Sequence, residues 1–180
     1  MEKRIYNIED RRIVTYDNLL SYNFRQTAYE FAKNSLFKLG WNDTGTIENS
    51  PFKLLHSEYS ESDLKTFGLM TQLENTEIYD ILKNYKVSRC VLNLSTPDDS
   101  NFCHTHSDDF VLLYYVNLEW KNEWYGETIF YDELTENIEL AIPYKPGRIT
   151  LFEGKIPHSI RPQSRIAPFY RFTLSIFFKK

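Results

Sequence analysis

The feature that most constrains this chain is the punctuation of its second half, where short apolar and aromatic runs are cut by turn formers. Val87 to Leu94 alternates apolar and polar residues, and Ser95-Thr-Pro-Asp-Asp-Ser100 ends it with proline and an Asp/Ser cluster. Similar runs recur at Phe110 to Asn117, Glu127 to Tyr131, Ile138 to Ile142, Arg148 to Phe152, Ser159 to Arg161 and Tyr170 to Phe178. Short strands at this spacing predict a sandwich or barrel. A chain with 13 Tyr and 13 Phe is also rich in residues that suit half-buried pleated surfaces. The expected fold class is α+β, mainly β.

Chemistry-bearing residues cluster just before one of these runs, in Asn101-Phe-Cys-His104-Thr-His106-Ser-Asp108-Asp109. In extended chain, residues i and i+2 point the same way, so His106 and Asp108 can grip one ion together. A third donor follows at His158, in Ile156-Pro-His158. This is the 2-His-1-carboxylate pattern of non-haem Fe(II) oxygenases, in which three ligands hold one face of an octahedron and leave the other open. A structural zinc site would want four ligands and usually thiolates, whereas Cys90 and Cys103 have no paired spacing. His-x-Asp alone is a weak motif. His104-x-His106 also opens a cupin-type alternative, although Phe110 and Val111 stand where such a site would recruit a glutamate.

The run from Asn101 to Phe178 resembles the Fe(II)/2-oxoglutarate-dependent dioxygenases, in their prolyl-4-hydroxylase-like branch of small single-domain proteins, some of them phage-encoded. The resemblance is carried in order by His106-Ser-Asp108, Leu113-Tyr-Tyr115-Val-Asn117, Trp124-Tyr-Gly126-Glu-Thr128-Ile-Phe130, Pro146-Gly147-Arg-Ile-Thr-Leu-Phe152, Ile156-Pro-His158-Ser-Ile160-x-Pro162 and Arg171-Phe-Thr173. Where the family has Gly-Gly-Glu-Thr, this chain has Tyr125-Gly126-Glu-Thr128, so the entry to that strand is expected to differ in shape. The resemblance implies a double-stranded β-helix, or jelly roll, with supporting N-terminal helices. It implies Fe(II) on His106, Asp108 and His158, with 2-oxoglutarate and O2 as cosubstrates and ascorbate as an optional accessory. It also implies a hydroxylase acting on prolyl residues of a peptide or protein. A small-molecule hydroxylase, a cupin-like metalloenzyme using His104 and His106, and a non-catalytic jelly-roll binding module are the alternatives.

Strand parity bears on the cosubstrate site. In Arg171-Phe-Thr-Leu-Ser-Ile-Phe-Phe178, Phe172, Leu174, Ile176 and Phe178 form one apolar face, while Arg171, Thr173 and Ser175 share the other. If the apolar face packs on helices, Arg171 and Thr173 point into the barrel. By resemblance these two bind the distal carboxylate of 2-oxoglutarate, a task suited to the planar guanidinium fork. Tyr115 matches a tyrosine reaching the same carboxylate, and Ile160 is expected as an apolar wall beside it. Arg161 and Arg165, in the polar connection before the last strand, are rival binders better suited to the surface. Ser95 to Phe102 and Leu118 to Tyr125, with Trp120, Trp124 and Tyr125, are candidate substrate loops or rim packing.

The first half reads as support. Arg11 to Tyr16 is a short β-like run, and Asp17 can cap a helix or turn the chain into one. Phe24, Ala28, Phe31, Ala32 and Leu36 recur at helical spacing, with Gly40 closing that helix. Asn42 to Ser50 reads as a loop, and Phe52 to Tyr59 as a strand in which His56 has no ligand partner. Ser60-Glu-Ser-Asp63 predicts a capped helix to about Leu73, and Thr76 caps another to about Tyr85. The 180 residues therefore predict one domain, with helical support over 1–85 and barrel core over 86–178. A net charge of −4 argues against nonspecific nucleic-acid binding. No run of eighteen apolar residues and no secretory h-region is present, so no membrane partner is expected. Two unpaired cysteines suit the cytoplasm, or that of a host for a phage-encoded protein.

Overall fold

The computed structural model describes residues 1–41, 54–97, 99 and 102–180. Strands β1 (Glu2–Ile8) and β2 (Arg11–Asp17) form a hairpin and precede helix α1 (Tyr22–Lys33). Then come β3 (Lys38–Trp41), β4 (Leu54–Tyr59), the short helices α2 (Glu61–Phe67), α3 (Leu69–Gln72) and α4 (Glu77–Leu82), and β5 (Lys86–Ser95). The second half supplies β6 (Phe110–Tyr115), β7 (Thr128–Tyr131), β8 (Ile138–Ile142), β9 (Ile149–Glu153), β10 (His158–Ile160) and β11 (Arg171–Lys179). The strand runs expected from Val87 onward thus all form, with ends shifted by a residue or two.

Two antiparallel sheets result. The larger has the order β1-β2-β9-β6-β11-β5-β4-β3, and the smaller has the order β10-β7-β8. The large sheet carries a core on each face. On one side Phe172, Leu174, Ile176 and Phe178 of β11 pack with Leu112 and Tyr114 of β6 and with helix residues such as Ala28, Leu64, Leu69 and Ile78. On the other, Val91, Val111, Phe152 and Phe177 meet Phe130 and Ile142 of the small sheet. Each such fully buried side chain contributes about 1.5–3 kcal/mol relative to exposure. The alternation of β11 therefore turns Arg171, Thr173 and Ser175 toward the small sheet.

The first half departs from its sequence reading in several places, one being the helix expected to run to about Leu73, which Gly68 at φ 77° breaks into α2 and α3. It is not only helical support, because β1 to β4 supply half of the eight-stranded sheet. Ser21, not Asp17, caps α1, its side chain accepting from the Phe24 N–H at 3.2 Å. Gly40 does not close that helix, which ends at Lys33; it lies within β3 at φ 141°, where the pairing with β4 shifts register. The capping box of α2 is present, with Ser60 and Asp63 bonded reciprocally, and Thr76 caps α4. The expected loop over Asn42 to Ser50 lies outside the described residues. Among the described residues no helix is long and apolar enough to cross a membrane.

Asp17 ends β2 in a buried ion pair rather than a helix cap. Arg148 grips it with two bonds, Nε to Oδ1 at 2.7 Å and Nη2 to Oδ2 at 2.9 Å, and Lys145 adds a third at 2.9 Å. Burial pushes the Asp17 carboxyl pKa up, but the hydrogen bonds from Arg148 and Lys145 outweigh it and hold the group below the usual carboxylate range. Asp17→Asn is expected to destabilise the protein by about 3–5 kcal/mol, read as a lower urea midpoint, because Arg148 is left buried without its charge partner. With a depressed folded-state pKa, this contribution is complete above the unfolded carboxyl's pKa of about 4 and is lost as pH falls through the folded value.

Candidate metal centre and anion pocket

The centre is built where the segment after Cys103 lies beside β10. His104 and His158 are directly opposed in an antiparallel bridge, each N–H donating to the other's carbonyl at 3.0 Å. Opposed residues present side chains to the same face, and His106, two positions on, joins them. The three imidazoles stand with ring centroids 4.5 to 5.0 Å apart, and one ligand atom from each lies within 4.8 Å of the others. Phe177 packs edge-on to His106, and Phe152 edge-on to His158. Both rings are thereby fixed from behind.

Hydrogen bonds set the ring tautomers. His104 Nδ1 lies 2.8 Å from the Phe102 carbonyl, and His158 Nδ1 lies 2.8 Å from the Ile156 carbonyl. A carbonyl only accepts, so each Nδ1 carries the proton and each Nε2 offers its lone pair, the arrangement that orients metal-binding histidines. Burial, then the neighbouring His104 and Arg89, pushes the His106 pKa down to about 3. Burial, then His104 and His106, also lowers that of His158 well below its ordinary value. Both are neutral near pH 7, the form in which imidazole binds a metal.

Asp108, expected beside His106 on the ion, is placed otherwise. Its buried carboxylate accepts from Ser88 Oγ at 2.5 Å and lies 3.5 Å from Arg89 Nη2, which is itself 3.2 Å from His106 Nδ1. The reason is local: residues 107–109 form a bend, so the alternation that relates His104 to His106 does not continue to Asp108. The bend is held by Asp109, whose N–H donates to the Phe178 carbonyl at 2.9 Å and whose carbonyl accepts from Gly154 at 3.0 Å. Cys103 is half-buried and its thiol pKa is raised by burial, which keeps it protonated.

A small cavity of about 50 Å³ opens onto the histidines and is also lined by Asn93, Thr128, Ile160 and Ser175. Nearby, Arg171 is wholly buried on the same face of the large sheet as Ser175. Its Nε donates to the Gly126 carbonyl at 3.1 Å and Nη1 donates to Thr173 Oγ1 at 2.7 Å, while Nη2 has no partner. The guanidinium carbon lies 4.9 Å from the Tyr144 ring centroid and 6.0 Å from that of Tyr115. Burial lowers the Arg171 pKa from its ordinary value, though not far enough in any protein to remove its charge. Glu127 and Asp99 act on the guanidinium through space, but among the described residues no carboxylate is hydrogen-bonded to it, and a buried cation with an unused donor is set up for an anionic ligand. Tyr115 is also buried here, its hydroxyl 2.8 Å from Thr128 Oγ1.

Gly126 makes this pocket possible: at φ +87°, an added Cβ would fall 3.0 Å from Arg171 Cδ and Nε. Tyr125, where the resembling family carries glycine, takes φ 60° and ψ −146°, a region nearly exclusive to glycine and costing about 1–3 kcal/mol. It is held by the Trp120 indole N–H on its carbonyl at 2.8 Å and by Arg161 stacked 3.5 Å over its ring. Trp124 is buried, and Trp120 packs against it and Tyr144, so both tryptophans serve as packing. The other candidate substrate loop, Ser95 to Phe102, is described only in part. Arg161 stays on the outside, 3.6 Å from Glu127.

The sequence reading left out Ser88, Arg89 and Asn93. Alternation along β5 could have found Arg89 and Asn93, which share one face with Val91. His56 lies in β4 as expected, buried opposite Asn93 and outside the histidine cluster.

No family model matches the sequence, and no curated protein matches it. Solved structures do match its fold. A prolyl hydroxylase from Trichoplax adhaerens, in complex with a hypoxia-inducible-factor peptide fragment, aligns with TM-score 0.64 and 14% identity over 93% of this chain and 83% of its own. A 2OG-Fe(II) oxygenase family member from Burkholderia pseudomallei aligns with TM-score 0.67 and 11% identity over 93% and 84%. An alpha-ketoglutarate-dependent non-heme epimerase of nogalamycin biosynthesis aligns with TM-score 0.63 and 11% identity over 93% and 78%. The fold is that of the 2-oxoglutarate-dependent, Fe(II) oxygenases, prolyl hydroxylases among them.

Gly154 controls the bend from the opposite side. A Cβ there would lie 2.2 Å from the Asp108 carbonyl oxygen, a backbone atom that cannot swing away, and the Gly154 carbonyl accepts the His106 N–H at 2.7 Å. Gly154→Ala is expected to lower stability by about 1–3 kcal/mol through overpacking. It should also abolish slow hydrogen exchange at the His106 amide. Unchanged protection of that amide would show that the segment does not depend on this contact.

Proposed function

We propose that this protein is an Fe(II)- and 2-oxoglutarate-dependent hydroxylase, its two sheets forming a double-stranded β-helix. The observation that carries the reading is Arg171 Nη2, a buried guanidinium nitrogen without a partner, in a chain whose histidines converge beside the same inter-sheet space. The donor chemistry fits both groups: neutral imidazole suits iron, and a guanidinium fork suits a carboxylate. Iron with 2-oxoglutarate and O2 supplies decarboxylation of the cosubstrate and insertion of an oxygen atom into an unactivated C–H bond; an ascorbate requirement would be secondary.

In this reading Arg171 and Thr173 bind the distal carboxylate, and Tyr115 and Thr128 complete the polar end of the pocket. Ile160 gives the carbon chain an apolar wall. His106 and His158 belong to the iron whichever residue is third, Asp108 in the sequence register or His104 in the geometric one. The buried surroundings keep water from the reacting atoms and strengthen the Arg171 charge pairing.

We assign the substrate class as a prolyl residue in a peptide or protein. Among the described residues no long insertion between β6 and β11 is available to close a lid over the histidines, which suits an extended substrate approaching from outside better than an enclosed small molecule. Likeness to a prolyl hydroxylase holding a peptide supports the same reading by analogy.

Anaerobic addition of Fe(II) and 2-oxoglutarate should give the weak visible charge-transfer band of the ternary complex. Arg171→Ala should raise the apparent 2-oxoglutarate constant about a hundredfold or more, as truncation of a buried charge partner does. Arg161→Ala and Arg165→Ala should leave it nearly unchanged, and equal losses in all three would sink the assignment. Proline-containing peptides, compared with free amino acids, should show coupled succinate formation and a product heavier by one oxygen. Turnover only with a free small molecule would move the substrate class and leave the cosubstrate site standing.

A further inference from the structure

We infer that the metal is held by three neutral imidazoles, His104, His106 and His158, with no carboxylate among the protein ligands. This rests on the metal-binding part of the proposed function and not on the identity of the cosubstrate. Three independent features carry it. The first is register. His104 is the residue directly opposed to His158, with reciprocal backbone bonds at 3.0 Å, and His106 follows at the i+2 spacing that the His-x-Asp pair was expected to have. The bend at 107–109 then takes Asp108 out of that alternation.

The second is the state of the rings. The bonds from His104 and His158 to the Phe102 and Ile156 carbonyls put the proton of each ring on Nδ1 and its lone pair on Nε2, and one ligand atom from each of the three residues falls within a 4.8 Å set.

The third is the occupation of Asp108. Its carboxylate is used by Ser88 at 2.5 Å and by Arg89 at 3.5 Å. Arg89 also lies 3.2 Å from His106 Nδ1, so Asp108 neutralises the cation nearest the site rather than the metal. A guanidinium only donates, so His106 Nδ1 accepts from Arg89 as the structure stands; binding a metal through Nε2 would move that ring proton to Nδ1 and turn Arg89 wholly toward Asp108. A metal with three neutral ligands keeps its full 2+ charge, one unit more than with a carboxylate. Such a centre favours a dianionic chelator and accepts the borderline metals that imidazole suits.

The test uses Co(II) in place of iron, loaded anaerobically into the wild-type chain. Each ligating imidazole contributes one exchangeable, paramagnetically shifted N–H proton signal that disappears in D2O. Three such signals are expected, and two would overturn the inference. This count needs no variant and is immune to misfolding. Calorimetric Co(II) titration supplies the second arm: His104→Ala should weaken binding at least a hundredfold. Asp108→Asn should keep a stoichiometry of one with a loss of about tenfold, as for a group outside the ligands. Loss of metal in Asp108→Asn with retention in His104→Ala would establish the carboxylate register instead. Three signals in a protein that gives no 2-oxoglutarate band would uphold this ligand set and remove the cosubstrate reading.

Discussion

The arrangement depends on one strand that must satisfy two environments at once. β11 runs through the large sheet between β5 and β6 and is buried along nearly its whole length. A period of two sends Phe172, Leu174, Ile176 and Phe178 into the helix-side core, and Arg171, Thr173 and Ser175 toward the small sheet. The helices tie the register of the polar set to the strongest apolar packing in the molecule. Slipping β11 by one residue would put four large apolar side chains where the guanidinium stands, and Arg171 against the helices. The position of Arg171 is thereby set by hydrophobic burial on the opposite face.

Burial also sets the protonation states of the site. The same dry surroundings that depress the pKa values of His106 and His158 leave Arg171 charged with one nitrogen unbonded. Burial is the first cause of both effects, since a low-dielectric interior penalises the charged imidazole and leaves an unpaired guanidinium nitrogen costly. The supporting residues are mostly close-approach positions. Gly126 leaves room for Arg171, and Gly154 lets β9's turn press against the His106 segment. Tyr125 meets the same backbone demand without being glycine, at the cost of strain that its stack with Arg161 and its bond from Trp120 help to hold.

The structural relatives show how little the fold restricts chemistry. Prolyl hydroxylases and an epimerase share it with this chain at 11 to 14% identity, so the reaction has to be argued from the site and not the architecture. Here the cavity at the histidines is small and lined by Ile160 and Phe177 among others, Phe152 packs behind His158, and Arg171 is bonded to Thr173 farther along the same face of β11.

Much of this was determined by the sequence itself, because it depends on local periodicity. The strands from Val87 onward, the capping boxes and caps at Ser60 and Thr76, and the side of β11 that carries Arg171 and Thr173 follow from spacing alone. The convergence of His158 with the His104 to Asp109 segment was legible as a motif of residue types. Which of those residues face one another was not, for it turns on the bend at 107–109. That bend is made by the Phe178 carbonyl and by Gly154, both remote in sequence. Tertiary structure likewise decided that Asp17 pairs with Arg148 instead of capping a helix, and that Gly40 enters a strand. An i/i+2 rule holds only while the chain stays extended, and whether it does is settled by hydrogen bonds to partners that local pattern cannot see.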